Sequence, residues 1–118
     1  MAKLPDRVER KKTIWRRYRD GLAGVSQVNL FDIDLKHCVP WFIDVRSDSR
    51  SELQEHLKSR GIGSRVMYPP INDQMCYQVK GHFPVSADIG VRGLWLPSAS
   101  QLSDAQVDRI CAAIREFY

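Results

Sequence analysis

Apolar side chains recur every three or four residues in two long stretches, one at each end of the chain. The first stretch, residues 5–22, has a narrow apolar stripe, and Gly21 and Gly24 supply stop signals. The last stretch begins with a capping box of Ser103 and Gln106. Its apolar stripe consists of Val107, Ile110, Ile114 and Phe117. Both stretches are predicted to be amphipathic helices that cover a core with one side.

A third helix is predicted in the middle of the chain. Ser49 and Glu52 have the spacing of a capping box at its start. Leu53 and Leu57 lie one turn apart and give the helix an apolar side. Gly61 follows at the position where a helix commonly ends.

Four short segments have the composition of β-strands, and they cover residues 28–31, 39–45, 64–68 and 94–97. The second segment alternates, which predicts that successive residues face opposite sides of a sheet. One side carries Val39, Trp41, Ile43 and Val45, and the other carries Phe42 and Asp44. A short helix over residues 84–91, with a proline in its first turn, precedes the fourth segment.

The order of these predicted elements is α-β-β-α-β-α-β-α. Helices and short strands mixed in this way predict an α+β fold, a two-layer sandwich with helices packed on one face of a small, mainly antiparallel sheet. A length of 118 residues is typical of one domain, so residues 1–118 are interpreted as a single domain.

The positive charge of the chain is concentrated at one end. Residues 1–20 hold eight lysines and arginines and three acidic residues, whereas the rest of the chain has a net charge of −1. A basic helix that carries aromatic residues can bind nucleic acid. Trp15 and Tyr18, however, lie on the stripe that the core needs, so nucleic-acid binding is not favoured. A helix that faces solvent or a partner protein is the preferred interpretation.

Simple counts disfavour several classes of protein. The sequence has no run of about 18 apolar residues, so no membrane span is predicted, and its first residues do not resemble a signal peptide. Three cysteines do not make a disulfide framework, which favours a cytoplasmic location. Cys38 and Cys111 are interpreted as small packing residues. No histidines or cysteines have the spacing of metal ligands, so no metal site is predicted.

The segment after the third predicted strand combines rigidity with polar groups. Residues 61–74 read Gly-Ile-Gly-Ser-Arg-Val-Met-Tyr-Pro-Pro-Ile-Asn-Asp-Gln. A stiff loop with a polar tip is a common place for binding residues, although an ordinary surface loop can have the same composition. Both interpretations stay open on the residues alone.

This segment is part of a larger pattern that resembles a known family. Together with Leu-Trp-Leu-Pro-Ser at 94–98 and Ile-Arg-Glu-Phe-Tyr at 114–118, it resembles the C-terminal region of the DegT/DnrJ/StrS sugar aminotransferases. These enzymes use pyridoxal phosphate (PLP) to aminate keto sugars that are carried on nucleotides. The Tyr-Pro-Pro-Ile-Asn form is most similar to the perosamine-synthetase-type branch. The resemblance extends over nearly the whole chain.

The resemblance implies a small C-terminal domain, because family members are much longer than this chain. Their large domain carries the lysine and the aspartate that hold PLP, and none of the six lysines here has a matching context. We therefore expect the large PLP-binding domain to be absent, and we assign no catalytic, cofactor-binding or metal-binding residue. The chain would be a fragment or a truncated stand-alone form of a nucleotide-sugar aminotransferase, inactive by itself.

By the same resemblance, one loop is expected to approach the sugar substrate. Its expected substrate-binding residues are Tyr68, Pro69, Asn72 and Gln74. Many relatives have histidine at the positions of Met67 and Asn72. Because asparagine does not titrate near neutral pH, the resemblance supports no role of Asn72 in proton transfer.

The same resemblance also implies binding partners. Arg65 and Arg92 could face the phosphate of a nucleotide sugar, although a surface salt bridge is the favoured role for each. The expected partner is a large catalytic domain or a second copy of the chain, either of which would cover an exposed apolar face. A nucleotide sugar would bind in the full enzyme. The alternative function is a free-standing interaction or dimerisation module that has lost catalysis.

Overall fold

The computed structural model describes residues 3–77 and 79–118, which form four helices and four strands. The helices are α1 (Leu4–Gly21), α2 (Arg50–Ser59), α3 (Pro84–Arg92) and α4 (Asp104–Phe117). The strands are β1 (Val28–Leu30), β2 (Ile43–Ser47), β3 (Arg65–Val66) and β4 (Gly93–Leu96). The predicted order of elements is confirmed. Within the described ranges, no helix has the length and apolar character needed to span a bilayer.

The strands form an antiparallel sheet in the order β1-β2-β4-β3. Strand β2 pairs with β1 on one side and with β4 on the other, where Asp44 lies opposite Trp95. On the far side of β4, Arg65 of β3 also lies opposite Trp95. The expected α+β fold class and the antiparallel pairing are confirmed.

Helices α1, α2 and α4 pack against one face of the sheet and enclose the hydrophobic core. The strand residues in this core are Ile43, Val45, Leu94 and Leu96. Helix α1 adds Tyr18, whose hydroxyl donates a 2.9 Å hydrogen bond to the carbonyl of Pro97. Ser47, at the end of β2, is fully buried, and its hydroxyl shares a 2.6 Å hydrogen bond with the hydroxyl of Tyr118. The hydroxyls of Tyr18, Ser47 and Tyr118 are therefore satisfied.

Ion pairs with α4 account for part of the basic charge of α1. Arg17 contacts Asp108 at 2.7 Å and Asp104 at 3.2 Å. Arg10 contacts Asp104 at 2.6 Å. The hydrogen bond from Arg17 holds the pKa of Asp108 below its usual range. Two basic side chains of α1 thus face α4 of the same chain, and the prediction that α1 faces solvent or a partner protein is not tested by these contacts.

Helix α3 contributes no residue to the hydrophobic core, and the structure buries none of its residues. It contacts β2 and β4 at one end of the sheet. Its Asp88 lies 3.3 Å from Arg46, on the sheet face opposite the core. Arg50, at the start of α2, donates a 2.6 Å hydrogen bond to the carbonyl of Gly90. These polar contacts and the packing of Gly90 against Pro70 position α3.

Two glycines let α3 and β4 approach the loop that follows β3. A Cβ atom on Gly90 would lie 2.7 Å from Cδ of Pro70. A Cβ atom on Gly93 would lie 2.5 Å from Sδ of Met67, a side chain that is buried. Any larger residue would displace the loop, so these glycines help to fix the place where it begins.

One of the two predicted capping boxes forms. Ser103 Oγ accepts a 3.2 Å hydrogen bond from the backbone N–H of Gln106, whose side chain accepts one of 2.8 Å from the N–H of Ser103. The capping box at Ser49 was a wrong prediction, since the Ser49 side chain makes no capping bond. Its ψ of 55° departs from the extended conformation that aims a capping oxygen at the helix.

The predicted end of α2 is confirmed. Gly61 has a φ of +71°, the left-handed conformation in which glycine is favoured. The backbone N–H of Ile62 donates a 2.9 Å hydrogen bond to the carbonyl of Leu57, and Ile62 is buried. This arrangement is a Schellman motif, and it turns the chain toward β3.

The strand predicted over residues 39–45 begins only at Ile43. Val39 and Trp41 were expected to share a face with Ile43 and Val45, which are buried, but Trp41 is 76% exposed and Val39 is 46% exposed. Pro40 has no N–H to donate to a sheet. The carbonyl of Trp41 accepts a 3.0 Å hydrogen bond from Lys11 Nζ. The backbone before Ile43 is therefore held by a side chain of α1 and not by strand pairing.

Of the two cysteines predicted to be packing residues, Cys111 is buried and Cys38 is exposed. Cys38 ends a tight turn in which its N–H donates a 2.8 Å hydrogen bond to the carbonyl of Asp34. That turn projects from the connection between β1 and β2, so the prediction for Cys38 is wrong. Burial raises the pKa of the Cys111 thiol to about 11.

Candidate functional site

The sheet face opposite the core, which we call the outer face, carries a cluster of aromatic and charged side chains. Asp44 of β2 and Trp95 of β4 alternate with core residues, so both lie on this face. The indole N–H of Trp95 donates a 2.7 Å hydrogen bond to Oδ1 of Asp44. This bond fixes the orientation of the largest side chain on the outer face.

Two more aromatic rings contact Trp95. Phe42 stacks on it with ring centres 4.6 Å apart and an angle of 20° between the planes. Tyr68 approaches edge-on, at 5.2 Å and 82°. Both geometries are favourable for aromatic pairs. Tyr68, the first residue of the predicted substrate-binding set, is thereby joined to the sheet through Trp95.

Arg65 lies above the same aromatic rings. Its guanidinium carbon is 5.3 Å from the ring centre of Tyr68 and 6.0 Å from that of Trp95, both within the range of cation–π contacts. Nη2 donates a 3.1 Å hydrogen bond to the Tyr68 hydroxyl. No carboxylate of residues 3–77 or 79–118 forms an ion pair with Arg65.

Arg65 and Arg92 therefore differ. Arg92 lies 2.8 Å from Asp48 and 3.1 Å from Asp88, so the surface salt bridge favoured for it is confirmed. For Arg65 the same prediction is wrong, since its guanidinium is held by aromatic rings. Of the two arginines considered for contact with phosphate, Arg65 is the one whose charge has no ion-pair partner among the residues that the structure describes.

A shallow groove of about 350 Å³ runs beside this cluster. Phe42, Ser64, Arg65, Trp95, Pro97 and Ser98 are among the residues that line it. Arg65 supplies the charge among these lining residues, and the others are apolar, aromatic or hydroxyl-bearing. The groove therefore presents a cation next to flat apolar surfaces.

The remaining residues of the predicted set lie farther along the loop. Pro69 is exposed, whereas Asn72 and Gln74 are half-buried around the 3₁₀ turn Ile71–Asp73. Asn72 donates a 2.7 Å hydrogen bond to the Asp73 side chain, and Gln74 donates one of 3.4 Å to the carbonyl of Pro69. These two amides stabilise the loop itself. The structure brings Tyr68 to the aromatic cluster and shows no hydrogen bond from the described loop amides to that cluster.

Sequence reasoning did not assign Phe42, Asp44 and Trp95 to the site. Part of the signal was nonetheless visible, because the alternation after residue 39 predicted that Phe42 and Asp44 share one face, opposite Ile43 and Val45. What the sequence does not show is the pairing of β2 with β4, which brings Trp95 beside residues about fifty positions earlier. The cluster depends on that long-range contact.

Other reactive side chains are dispersed. His37 Nδ1 lies 2.6 Å from Asp34, on an exposed turn. His56 Nε2 contacts the carbonyl of Ala113 at 3.0 Å. Across the described ranges, no three His, Cys, Asp or Glu side chains come close enough together to hold a metal ion. The aromatic cluster and its groove are therefore the best-developed candidate site.

The amino-acid sequence and the fold were compared with those of known proteins. The sequence model of the DegT/DnrJ/EryC1/StrS aminotransferase family matches residues 1–115. The chain belongs to this family. It is 32% identical to GDP-perosamine synthase of Escherichia coli O157:H7, and the match covers 100% of this chain and 33% of that enzyme.

Solved structures of family members have the same fold. A DegT/DnrJ/EryC1/StrS aminotransferase from Brucella abortus superposes with a TM-score of 0.88 at 31% identity, over 98% of this chain and 32% of that one. DesV of S. venezuelae, solved with a ketimine intermediate, gives a TM-score of 0.89 at 29% identity, over 98% of this chain and 33% of that one. The chain thus spans about one third of the length of the relatives that it matches.

The family's enzymes use PLP, which requires a lysine for covalent attachment and a carboxylate at the pyridine nitrogen. Lys11 is the best-enclosed candidate, but its Nζ donates to the carbonyls of Trp41 and Ser98, at 3.0 and 2.6 Å. Lys12 lies 3.8 Å from Glu9, and the other four lysines are exposed. The described residues therefore do not fit a PLP site, and we derive no chemical step through the cofactor.

Proposed function

We propose that residues 1–118 act as the C-terminal, substrate-facing lobe of a PLP-dependent nucleotide-sugar aminotransferase. Membership of the family supports the reaction class. The similarity to GDP-perosamine synthase supports a keto sugar on a nucleotide as the amino acceptor. In this proposal the lobe contributes binding and orientation, and the cofactor chemistry belongs to residues outside 1–118.

One observation carries this proposal. Tyr68 begins the predicted substrate-binding loop, and its ring is held against Trp95 while its hydroxyl is held by Arg65. Pro69 and Pro70 follow at once, and the chain continues into the 3₁₀ turn with Asn72. Such a rigid loop that leaves a packed scaffold is suited to orient a bound sugar.

The proposal includes two further statements. Residues 1–118 are inactive by themselves, and the protein is cytoplasmic, because its three cysteines are free thiols. Mixing the chain with PLP tests the first point. We expect no absorbance band of a lysine adduct and no amino transfer to a nucleotide-linked keto sugar. A stoichiometric band would contradict the proposed division of labour.

A chimera tests the role of the lobe directly. Residues 1–118 would replace the matching third of GDP-perosamine synthase, and the visible spectrum of bound PLP would report whether the host domain has folded. We expect amino transfer by this chimera. Replacing Asn72 or Gln74 with alanine should raise KM about 3- to 30-fold, the range for one lost hydrogen bond. The matched control is Gln101→Ala, an exposed glutamine on the turn before α4.

The outcome of the chimera is decisive in two ways. A PLP-loaded chimera that does not transfer the amino group would contradict the role of the lobe. An active chimera whose loop variants behave like Gln101→Ala would contradict the assignment of the loop residues.

The exposed apolar surface favours a second candidate, an interaction or dimerisation module. Its most exposed members are Trp41, Ile71, Met75, Val85 and Val91, each between 66% and 88% exposed. Large exposed apolar surfaces are commonly covered by a partner. Light scattering coupled to size-exclusion chromatography separates the cases, because a monomer at high concentration would argue against self-association.

A further inference from the structure

We propose that helix α3 is a strap that charge pairs hold against the sheet, and that its release frees the loop after β3 while the core stays folded. High ionic strength would favour this release. The contacts of α3 carry the inference, which does not depend on the proposed function. The loop carries Asn72 and Gln74, so α3 determines whether these side chains are held in place.

The first argument is how little apolar surface α3 buries. Within α3, Ile89 is the one half-buried apolar side chain, and Val85 and Val91 are 71% and 68% exposed. A helix of nine residues is too short to persist by itself in water, and its N-cap residue Phe83 makes no side-chain capping bond. Contacts other than core packing must therefore keep α3 in place.

The second argument is the polar character of the contacts that α3 does make. Asp88 lies 3.3 Å from Arg46 of β2, and Arg92 lies 2.8 Å from Asp48. Arg50 donates a 2.6 Å hydrogen bond to a backbone carbonyl of α3. The side chains of the two ion pairs are between 32% and 57% exposed, so dissolved ions can screen them. The contacts that hold α3 are thus of the kind that salt weakens.

The third argument is a cost of the docked arrangement. The Nε atoms of Arg46 and Arg50 are buried without a hydrogen-bond partner among the described residues. Both arginines use other nitrogen atoms for their contacts with α3. A buried donor without an acceptor costs free energy, and water would satisfy both atoms once α3 moved away. Docking therefore carries a penalty that release removes.

The fourth argument is the contact between α3 and the loop. Gly90 lies so close to Pro70 that a Cβ atom on the glycine would be 2.7 Å from Cδ of the proline. Movement of α3 away from the sheet would remove the surface against which Pro70 packs. The backbone N–H of Met67, which is buried, donates a 3.1 Å hydrogen bond to the carbonyl of Gly93. This bond joins the start of the loop to the end of α3, so it marks where the opening stops.

Hydrogen exchange of the 118-residue chain tests the strap, with ¹H–¹⁵N NMR as the readout. The measurement compares about 0.01 M with about 1 M NaCl, between which the Debye length falls from about 30 Å to about 3 Å. We expect exchange of the α3 amides and of Asp73 and Gln74 to accelerate about 2- to 10-fold. The amides of Met67 and of Ile110, in the core helix α4, should not accelerate.

A substitution locates the effect at one charge. Asp88→Asn removes the carboxylate that pairs with both Arg46 and Arg92. It should accelerate exchange in α3 about 2- to 30-fold at low salt, the range for two exposed ion pairs, and should remove most of the salt dependence. The matched control is Asp108→Asn, which removes an ion-paired aspartate of α4 and should leave exchange in α3 unchanged. Circular dichroism would verify that each variant is folded.

Several results would overturn the proposal. Exchange in α3 that salt leaves unchanged would exclude a charge-held strap, and equal acceleration in α3 and α4 would show unfolding of the whole domain. Acceleration in α3 without acceleration at Asp73 and Gln74 would show that α3 does not hold the loop. If Asp88→Asn fails to fold, the salt series on the unchanged chain still decides the matter. The chimera bears on the proposed function alone, so the two proposals fail separately.

Discussion

The indole N–H of Trp95 donates a 2.7 Å hydrogen bond to the carboxylate of Asp44 across the pairing of β2 with β4. Because the two residues face each other in the sheet, the bond needs no movement of the backbone. It determines which way the Trp95 ring lies, and hence where Phe42 and Tyr68 can pack. A polar bond on the sheet thus organises an aromatic surface.

Removing this acceptor should loosen the cluster. We expect Asp44→Ala to lower the free energy of unfolding by about 1–3 kcal/mol, the range for a part-buried hydrogen bond to a charged group. Asp44→Asn keeps an acceptor oxygen and should lose about half as much. Urea unfolding measures the stability, and the indole resonance of Trp95 reports the bond. An unchanged indole resonance in Asp44→Ala would contradict the role of this bond.

A methyl group at Gly93 should strain both the sheet and the loop. Its Cβ would lie 2.5 Å from the carbonyl oxygen of Ile89 and 2.5 Å from Sδ of Met67. We expect Gly93→Ala to cost about 1–3 kcal/mol, as overpacking usually does, and to increase hydrogen exchange in the loop after Met67. Gly63→Ala is the matched control, because nothing lies within 4 Å of its added carbon. Equal melting temperatures for the two variants would show that the close packing around Gly93 does not affect the stability of the fold.

The three thiols should differ in reactivity. Cys38 and Cys76 are exposed, whereas Cys111 is buried and its pKa is raised to about 11. At pH 8 a disulfide reagent such as DTNB should modify Cys38 and Cys76 rapidly. It should modify Cys111 at least about 100-fold more slowly, because the thiolate is the reactive form. Denaturant should release the third thiol. Three equally fast thiols under native conditions would contradict the burial of Cys111.

The ion pairs between α1 and α4 should make stability depend on pH. Arg17 holds the pKa of Asp108 below its ordinary value of 3.8, so this contribution is present above that pH and is lost as the pH falls through the lowered pKa. Asp108→Asn should therefore melt at a lower temperature than the parent chain at pH 7, and the difference should shrink toward pH 2. Asp32→Asn is the control, an exposed aspartate with no ion pair in the described residues. A difference that stays constant with pH would rule out this linkage.

Local features of the chain were predictable where a short stretch contains all the participants. The capping box at Ser103 and the glycine stop at Gly61 each depend on residues within a few positions. The failure at Ser49 has the same local origin, because spacing alone does not determine the backbone angle of the capping residue. Residue types and spacing therefore predict that these helices form, but they predict the hydrogen bonds at the helix ends less well.

The candidate site was only partly predictable for a different reason. The alternation placed Phe42 and Asp44 on one side correctly, but it extended the strand back to Val39, which lies outside the core. The ring neighbours of Trp95 come from the residue before β2 and from the loop after β3, and no local pattern encodes their proximity. Tyr68 was assigned from family resemblance, and its contact with Arg65 became visible only in the folded chain.

Lys11 links helix α1 to the backbone at one end of the sheet. Its ammonium group donates to the carbonyls of Trp41 and Ser98, which lie before β2 and after β4 at the same end of these paired strands. Acetylation would remove both the positive charge and two of the donors. Loss of these two bonds would detach the backbone before β2 and after β4 from α1, so a covalent change on the first helix would alter this end of the sheet.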